Sequence, residues 1–171
     1  MIGRPLETEY APFYAGYLDL VPESDLIGAL EAQPRDLWDY AATVAPEREQ
    51  HRYASGKWSI REVVGHLCDG ERVFGYRAFR FGRGDATPLP GFDENSYVEQ
   101  SSFHHCSLGD LVREFSLLRE SNLAALRALD ESGWYRIGSA NGSPMSVRAL
   151  AHIMVGHPRH HLQVLRDRYA G

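Results

Sequence analysis

Three histidines occupy positions from which a single metal ion could be held. His157 and His161 are four residues apart, so on an α-helix their imidazoles stand one turn above the other, able to reach one ion at Zn–N distances of roughly 2.0–2.1 Å. His66 belongs to an earlier helical segment, three residues after Val63 on its apolar face, and so points inward. A third imidazole from a neighbouring helix completes a three-nitrogen face and leaves positions free for water or substrate, as catalytic ions require. Imidazole donors suit zinc, nickel, copper or iron, and zinc or nickel is the expected ion. The plain alternative is that each histidine is an ordinary hydrogen-bonded residue. With eight histidines in the chain, an i, i+4 pair also arises by chance, so it is the three inward positions together that favour a site.

Other reactive side chains compete for roles. Asp69 lies one turn after His66, where it is a fourth ligand, a group that orients an imidazole through its other N–H, or a solvated acid. Asp69 and Glu71 are the candidate proton-handling acids. His152 and His160 sit at offsets that keep them off the stripe of His157 and His161, which makes them non-ligands. In His104-His105-Cys106 adjacent side chains project in different directions, which argues against a second site. Cys68 reads as a small packing residue, with no Cys-His-Asn arrangement in view. Pro158 falls between His157 and His161, where it removes a backbone donor and predicts a kink.

The elements that must position these residues are helical. Leu26, Ile27 and Leu30 mark a short helix, and Pro34 is expected to start a longer piece through Leu37, Trp38, Ala41 and Val44. Ser59-Ile60-Arg61-Glu62 is a capping box opening a second helix to about Phe81, with Val63, Leu67, Phe74, Ala78 and Phe81 on its apolar face. From Gly82 to Cys106 no helical period survives, and Pro88-Leu89-Pro90-Gly91 interrupts any regular element. This is a crossover long enough to cover a site. Ser107 caps a third helix whose stripe runs Leu108, Leu111, Val112, Phe115, Leu118, Asn122, Ala125, Leu126 and Leu129. Asn141-Gly142 suits the turn of a small hairpin. A last helix after Ser146 carries Leu150, Met154, His157, His161, Val164 and Arg168 at alternating steps of three and four. The expected fold is an all-α four-helix bundle with a long crossover between its second and third helices, lined inside by facing side chains.

A chain of 171 residues, 43% of them hydrophobic, has the size of one domain, taken here as residues 1–171, and can bury a sizeable core. The net charge of −5, with arginines dispersed among acids, lacks the electrostatic footprint of a nucleic-acid binder. No segment approaches the roughly 18 uncharged apolar residues of a membrane span, and Met1–Pro5 lacks a leader pattern, so no membrane association and a cytoplasmic location are expected. Two cysteines in such a chain are expected to be reduced. Tyr10, Phe13, Tyr14 and Tyr17 are expected to pack on the bundle or contribute to a dimer surface.

The segment Lys57-Trp58-Ser59-Ile60-Arg61-Glu62-Val63-Val64-Gly65-His66-Leu67 resembles the Trp-Ser-x-x-Glu-x-x-x-His-Leu segment of the DinB/YfiT-like family of metal-dependent four-helix-bundle proteins, a family distinct from the DNA polymerase sharing the first name. The resemblance continues through Glu71-Arg72 and Arg77. It ends in His157-Pro158-Arg159-His160-His161-Leu162-Gln163, which is similar to the family's terminal His-x-x-x-His. It implies His66, His157 and His161 as the metal ligands, an up-down-down-up type bundle, a homodimer, and a small-molecule substrate. Members with assigned activities transfer low-molecular-weight thiols such as bacillithiol, mycothiol or glutathione, and others are hydrolases or isomerases. The implied function is a small-thiol S-transferase, with the Gly82–Cys106 crossover and its Phe92 and Tyr97 closing a pocket for the electrophile. Metal-assisted hydrolysis and a non-catalytic metal-binding dimeric bundle are the alternatives.

Overall fold

The computed structural model describes residues 2–170. In chain order its helices are α1 (Ala15–Asp19), α2 (Leu26–Ala41), α3 (Ile60–Gly82), α4 (Glu94–Gln100), α5 (Leu108–Arg127), α6 (Glu131–Trp134) and α7 (Val147–Arg168), and strands β1 (Ile137–Ala140) and β2 (Ser143–Ser146) precede α7. The long helices begin where a side chain satisfies a free backbone donor. The Asp25 carboxylate accepts from Gly28 N–H, and the hydroxyls of Ser107 and Ser146 accept from Asp110 and Ala149. At α3 the expected capping box forms in both directions: Glu62 N–H donates to Ser59 Oγ at 3.3 Å and Ser59 N–H to Glu62 Oε2 at 2.6 Å. The hairpin turn follows its sequence signal, with φ of 52° at Asn141 and 74° at Gly142.

The four long helices close a ring in which α2 packs on α5, α5 on α3, α3 on α7 and α7 on α2, and α1 lies across α7. Their apolar faces build two cores. Leu26, Leu30, Phe74, Phe81, Leu123, Met154 and Val155 fill one, beside the hairpin. Leu37, Ile60, Leu67, Val112, Phe115, Leu162 and Leu165 fill the other. Between them each long helix contributes polar side chains to a buried layer: Gln33, His66, Glu71, Arg119 and His157.

Two sequence expectations change. Pro34 does not start a helix: it lies inside α2, which is continuous from Leu26. A proline lacks the N–H that would bond the carbonyl one turn earlier; here that is Leu30 O, and Arg119 Nη1 donates to it instead at 3.1 Å. The crossover is not irregular throughout either, because α4 and a 3₁₀ turn at Phe103–His105 lie within it. Asp93 caps α4 by accepting from Asn95 and Ser96, but Val98 is its one buried residue, so the segment has no apolar stripe for periodicity to detect. Leu89 is pinned to the hairpin, donating to Ser139 O at 2.9 Å and accepting from Asn141 N–H at 3.0 Å. The crossover is thereby tied to the hairpin at Leu89. Among the described residues, no helix is long and apolar enough to cross a membrane.

Candidate metal centre

The three histidines converge. His66 on α3 and His157 and His161 on α7 offer ring nitrogens that all lie within 4.8 Å of one another. The Nε2 atoms of His66 and His157 are 2.9 Å apart, and the three ring centroids are separated by 4.7–4.8 Å. Burial pushes His66 down to about 4. Burial, reinforced by the neighbouring imidazoles, holds His157 and His161 well below the ordinary histidine range. The set is therefore neutral at physiological pH, the state in which imidazole donates a lone pair.

Neutral imidazoles at this spacing cannot satisfy one another: a pair shares one proton, and His66 Nδ1, buried, has no partner at all. Among the described residues no carboxylate or cysteine joins the group. An all-nitrogen face with a surplus of lone pairs fits a divalent transition-metal ion.

Close backbone approaches set the geometry. A Cβ on Gly70 would lie 2.7 Å from His157 Cε1, so α3 accepts this ring only with glycine there. A Cβ on Gly156 would fall 2.0 Å from the Tyr17 carbonyl oxygen, so α1 can cross α7 only at this glycine. The crossing sets the Tyr17 ring 5.5 Å from His157 and 5.4 Å from His160, while Phe74 and Trp58 flank His157 and His66 at 5.6 and 4.8 Å.

Pro158 leaves α7 continuous from Val147 to Arg168. The carbonyl it frees belongs to Met154, and Arg119 Nη2 donates to it at 2.7 Å. One buried guanidinium thus caps the open carbonyls of two proline-containing helices, Leu30 on α2 and Met154 on α7. Its charge is balanced by both oxygens of Glu71, at 2.8 and 2.9 Å, and Gln33 Oε1 accepts at 2.7 Å.

The two acids expected at the site are elsewhere. Glu71 accepts from Arg119 with both oxygens and from Asn122 Nδ2 at 2.9 Å; it balances the buried cation and has no free oxygen to move a proton. Asp69 is half-buried beside Arg72 and Glu114, and burial raises its pKa. Neither joins the histidines: Glu71 is held by Arg119 of α5, and Asp69 lies near Arg72 and Glu114. His152 and His160 stay out of the cluster, as expected: His152 is buried with its Nδ1 2.7 Å from Arg148 O, and His160 is exposed. His104 and His105 pair with each other at 4.0 Å. Cys68 is a buried free thiol, its Sγ 3.3 Å from Leu111 O and its pKa raised by burial, as suits packing.

The histidines form one wall of a cavity of about 320 Å³. Phe13, Tyr14, Tyr17, Trp58, Phe74 and Phe92 line it, with Arg77 and Glu94 as its charged groups and Asn141 and Ser143 from the hairpin. Phe92 thus reaches the cavity, whereas Tyr97 is exposed, its ring tilted against Phe92 at 5.3 Å. Tyr14, Tyr17, Phe13 and Arg77 were not legible as site residues. Their signal was compositional, an aromatic cluster ahead of α2 and an arginine on the His66 face of α3, and neither pattern distinguishes a cavity wall from packing.

The chain belongs to the DinB superfamily, whose family model matches residues 29–165, from α2 into α7. Among solved structures it is similar to YfiT from Bacillus subtilis, described as a probable metal-dependent hydrolase with an unusual four-helix bundle topology. The TM-score is 0.73 and the identity 19%, over 92% of this chain and 93% of that one. This likeness establishes the fold as that four-helix bundle. No curated protein matches the chain.

Proposed function

We propose that this chain is a metal-dependent enzyme that joins a low-molecular-weight thiol to an electrophile, with His66, His157 and His161 holding zinc or nickel. The observation that carries the reading is the convergence of three imidazoles on the wall of an aromatic-lined cavity of about 320 Å³. When bound, the ion supplies a Lewis acid that favours the anion of a thiol or of water.

The chain's own residues supply the rest. Trp58, Phe74 and Phe92 present apolar surface to the electrophile and displace water around the histidines. Tyr17 remains a phenol, its pKa raised by burial and further by Tyr14 and Glu94, and so faces the cavity as a hydrogen-bond donor. A carbon–sulfur bond forms as the leaving group departs, and the thiol's proton leaves with it or passes to Glu94, the one carboxylate lining the cavity. Hydrolysis is the second reading, favoured by the same carboxylate and by the description of the YfiT neighbour.

Metal analysis of protein purified without added metal is expected to find one divalent ion per chain in the wild type and a loss of at least tenfold in His66→Ala and His161→Ala. Equal content in all three sinks the site. The metal-loaded protein is then offered thiols with an alkylating electrophile, and separately esters and amides. Turnover that requires the thiol supports transfer, whereas turnover of ester or amide without it assigns hydrolysis.

A further inference from the structure

We propose that Arg77 is the anchor for a carboxylate on the molecule that enters the histidine cavity, so that this site takes acid-bearing substrates. Among the described residues three arginines, Arg77, Arg119 and Arg148, and two glutamates, Glu9 and Glu71, are buried. Each glutamate is committed: Glu71 grips Arg119 and Glu9 grips Arg148, both with two oxygens. Arg77 is left over. It is 3% exposed, and among the described residues no carboxylate lies within ion-pair distance of it.

A guanidinium removed from water is costly unless its donors and charge are met. Arg77 donates through Nη2 to Pro90 O at 2.9 Å, and its Cζ lies 6.0 Å from the Phe92 ring centroid. Those contacts hold the side chain in place without neutralising it. The segment that holds it is itself fixed to the hairpin through Leu89, so the cation is presented by a rigid frame.

Its position suits a substrate. Arg77 follows His66 by eleven residues on α3, which returns it to the same helix face about 16 Å further along the axis. Helical side chains lean toward the N-terminus, which carries the guanidinium back toward the histidines, and both residues line the one cavity. A molecule spanning that cavity can place a reacting atom at the imidazoles and an anionic end at Arg77. The remaining N–H fork matches the two oxygens of a carboxylate. The cavity's other charged group, Glu94, is not ion-paired with Arg77 and adds negative charge, which disfavours a dianion such as a phosphate monoester more than a monocarboxylate.

The enzyme reading decides only what becomes of the bound molecule; the anchoring itself is tested by binding to metal-free protein, where no ion can take the carboxylate. The probes are 3-phenylpropionate, 3-phenylpropionamide and phenyl phosphate, measured by calorimetry on the wild type, Arg77→Gln and Arg77→Lys. We expect the acid to bind the wild type at least tenfold more tightly than the amide. The preference should vanish in Arg77→Gln and persist in part in Arg77→Lys. The Arg77 Nε–H resonance of the wild type should shift with the acid and stay in place with the amide, a readout that holds even if a variant fails to fold. Equal binding of acid and amide, a preference that survives in folded Arg77→Gln, an unmoved Arg77 resonance, or tighter binding of phenyl phosphate each overturns the proposal. Failure of the metal analysis with this preference intact would leave the anchor standing and remove only the metal.

Discussion

His157 reaches the cluster because α3 carries no side chain at residue 70. The ring fills the space a Cβ would need, 2.7 Å from its Cε1, so Gly70→Ala must push the imidazole away from His66 and His161. Overpacking of this kind costs about 1–3 kcal/mol, and misplacing one ligand is expected to weaken metal binding by about 10- to 100-fold. Metal titration of a folded Gly70→Ala protein checks this; unchanged affinity would mean the ring sits elsewhere when the ion is bound. The histidines were legible from spacing and apolar register, which depend only on helix geometry. The glycine's role was not, since it depends on which helix lies opposite.

Arg119 joins α2, α3, α5 and α7 through one guanidinium, accepted by Leu30 O, Gln33, Glu71 and Met154 O. Removing one member of a buried ion pair costs roughly 3–5 kcal/mol, and Arg119→Met should lose about that much in chemical denaturation. If the guanidinium also serves the carbonyl freed by Pro158, Pro158→Ala restores an N–H for Met154 O and recovers about 1 kcal/mol in the Arg119→Met background. A smaller gain, or none, relative to Pro158→Ala in the wild type would separate the two roles. At this scale the caps Ser59, Ser107 and Ser146 announced their helices, because a cap is a contact within one segment. Pro34 and Pro158 pointed the other way, toward a break at one and a kink at the other. The contact that satisfies their freed carbonyls comes from Arg119, far away in the chain, and an arginine within an apolar stripe carries no local sign of burial. The helix α4 escaped notice for the converse reason, being short and mostly exposed.

The whole bundle is two apolar cores with a polar layer between them, and the N-terminal segment is fastened to the start of α7 by Glu9 on Arg148. The Arg148 hydrogen bonds lower Glu9 to about 2 from 4.5, against the opposing effect of burial. A carboxylate with a depressed folded pKa adds stability that is complete above its unfolded value and fades as pH falls through the folded one. Wild type should therefore exceed Glu9→Gln by on the order of 3 kcal/mol above pH 4.5. The gap should close between about pH 4.5 and 2. Denaturation of both proteins across that range checks it, and a constant gap would reject the assignment. The order of the four long helices, the crossover's place, the hairpin turn and the inward histidines were determined by the sequence itself, since period, capping and turn chemistry act over a few residues. The tertiary structure alone decided that Glu71 balances Arg119, that Asp69 stands apart, that Tyr14 and Tyr17 wall the cavity, and that Arg77 is left unpaired. Burial and charge pairing depend on residues brought together from distant parts of the chain, and no local pattern records which partner each group meets.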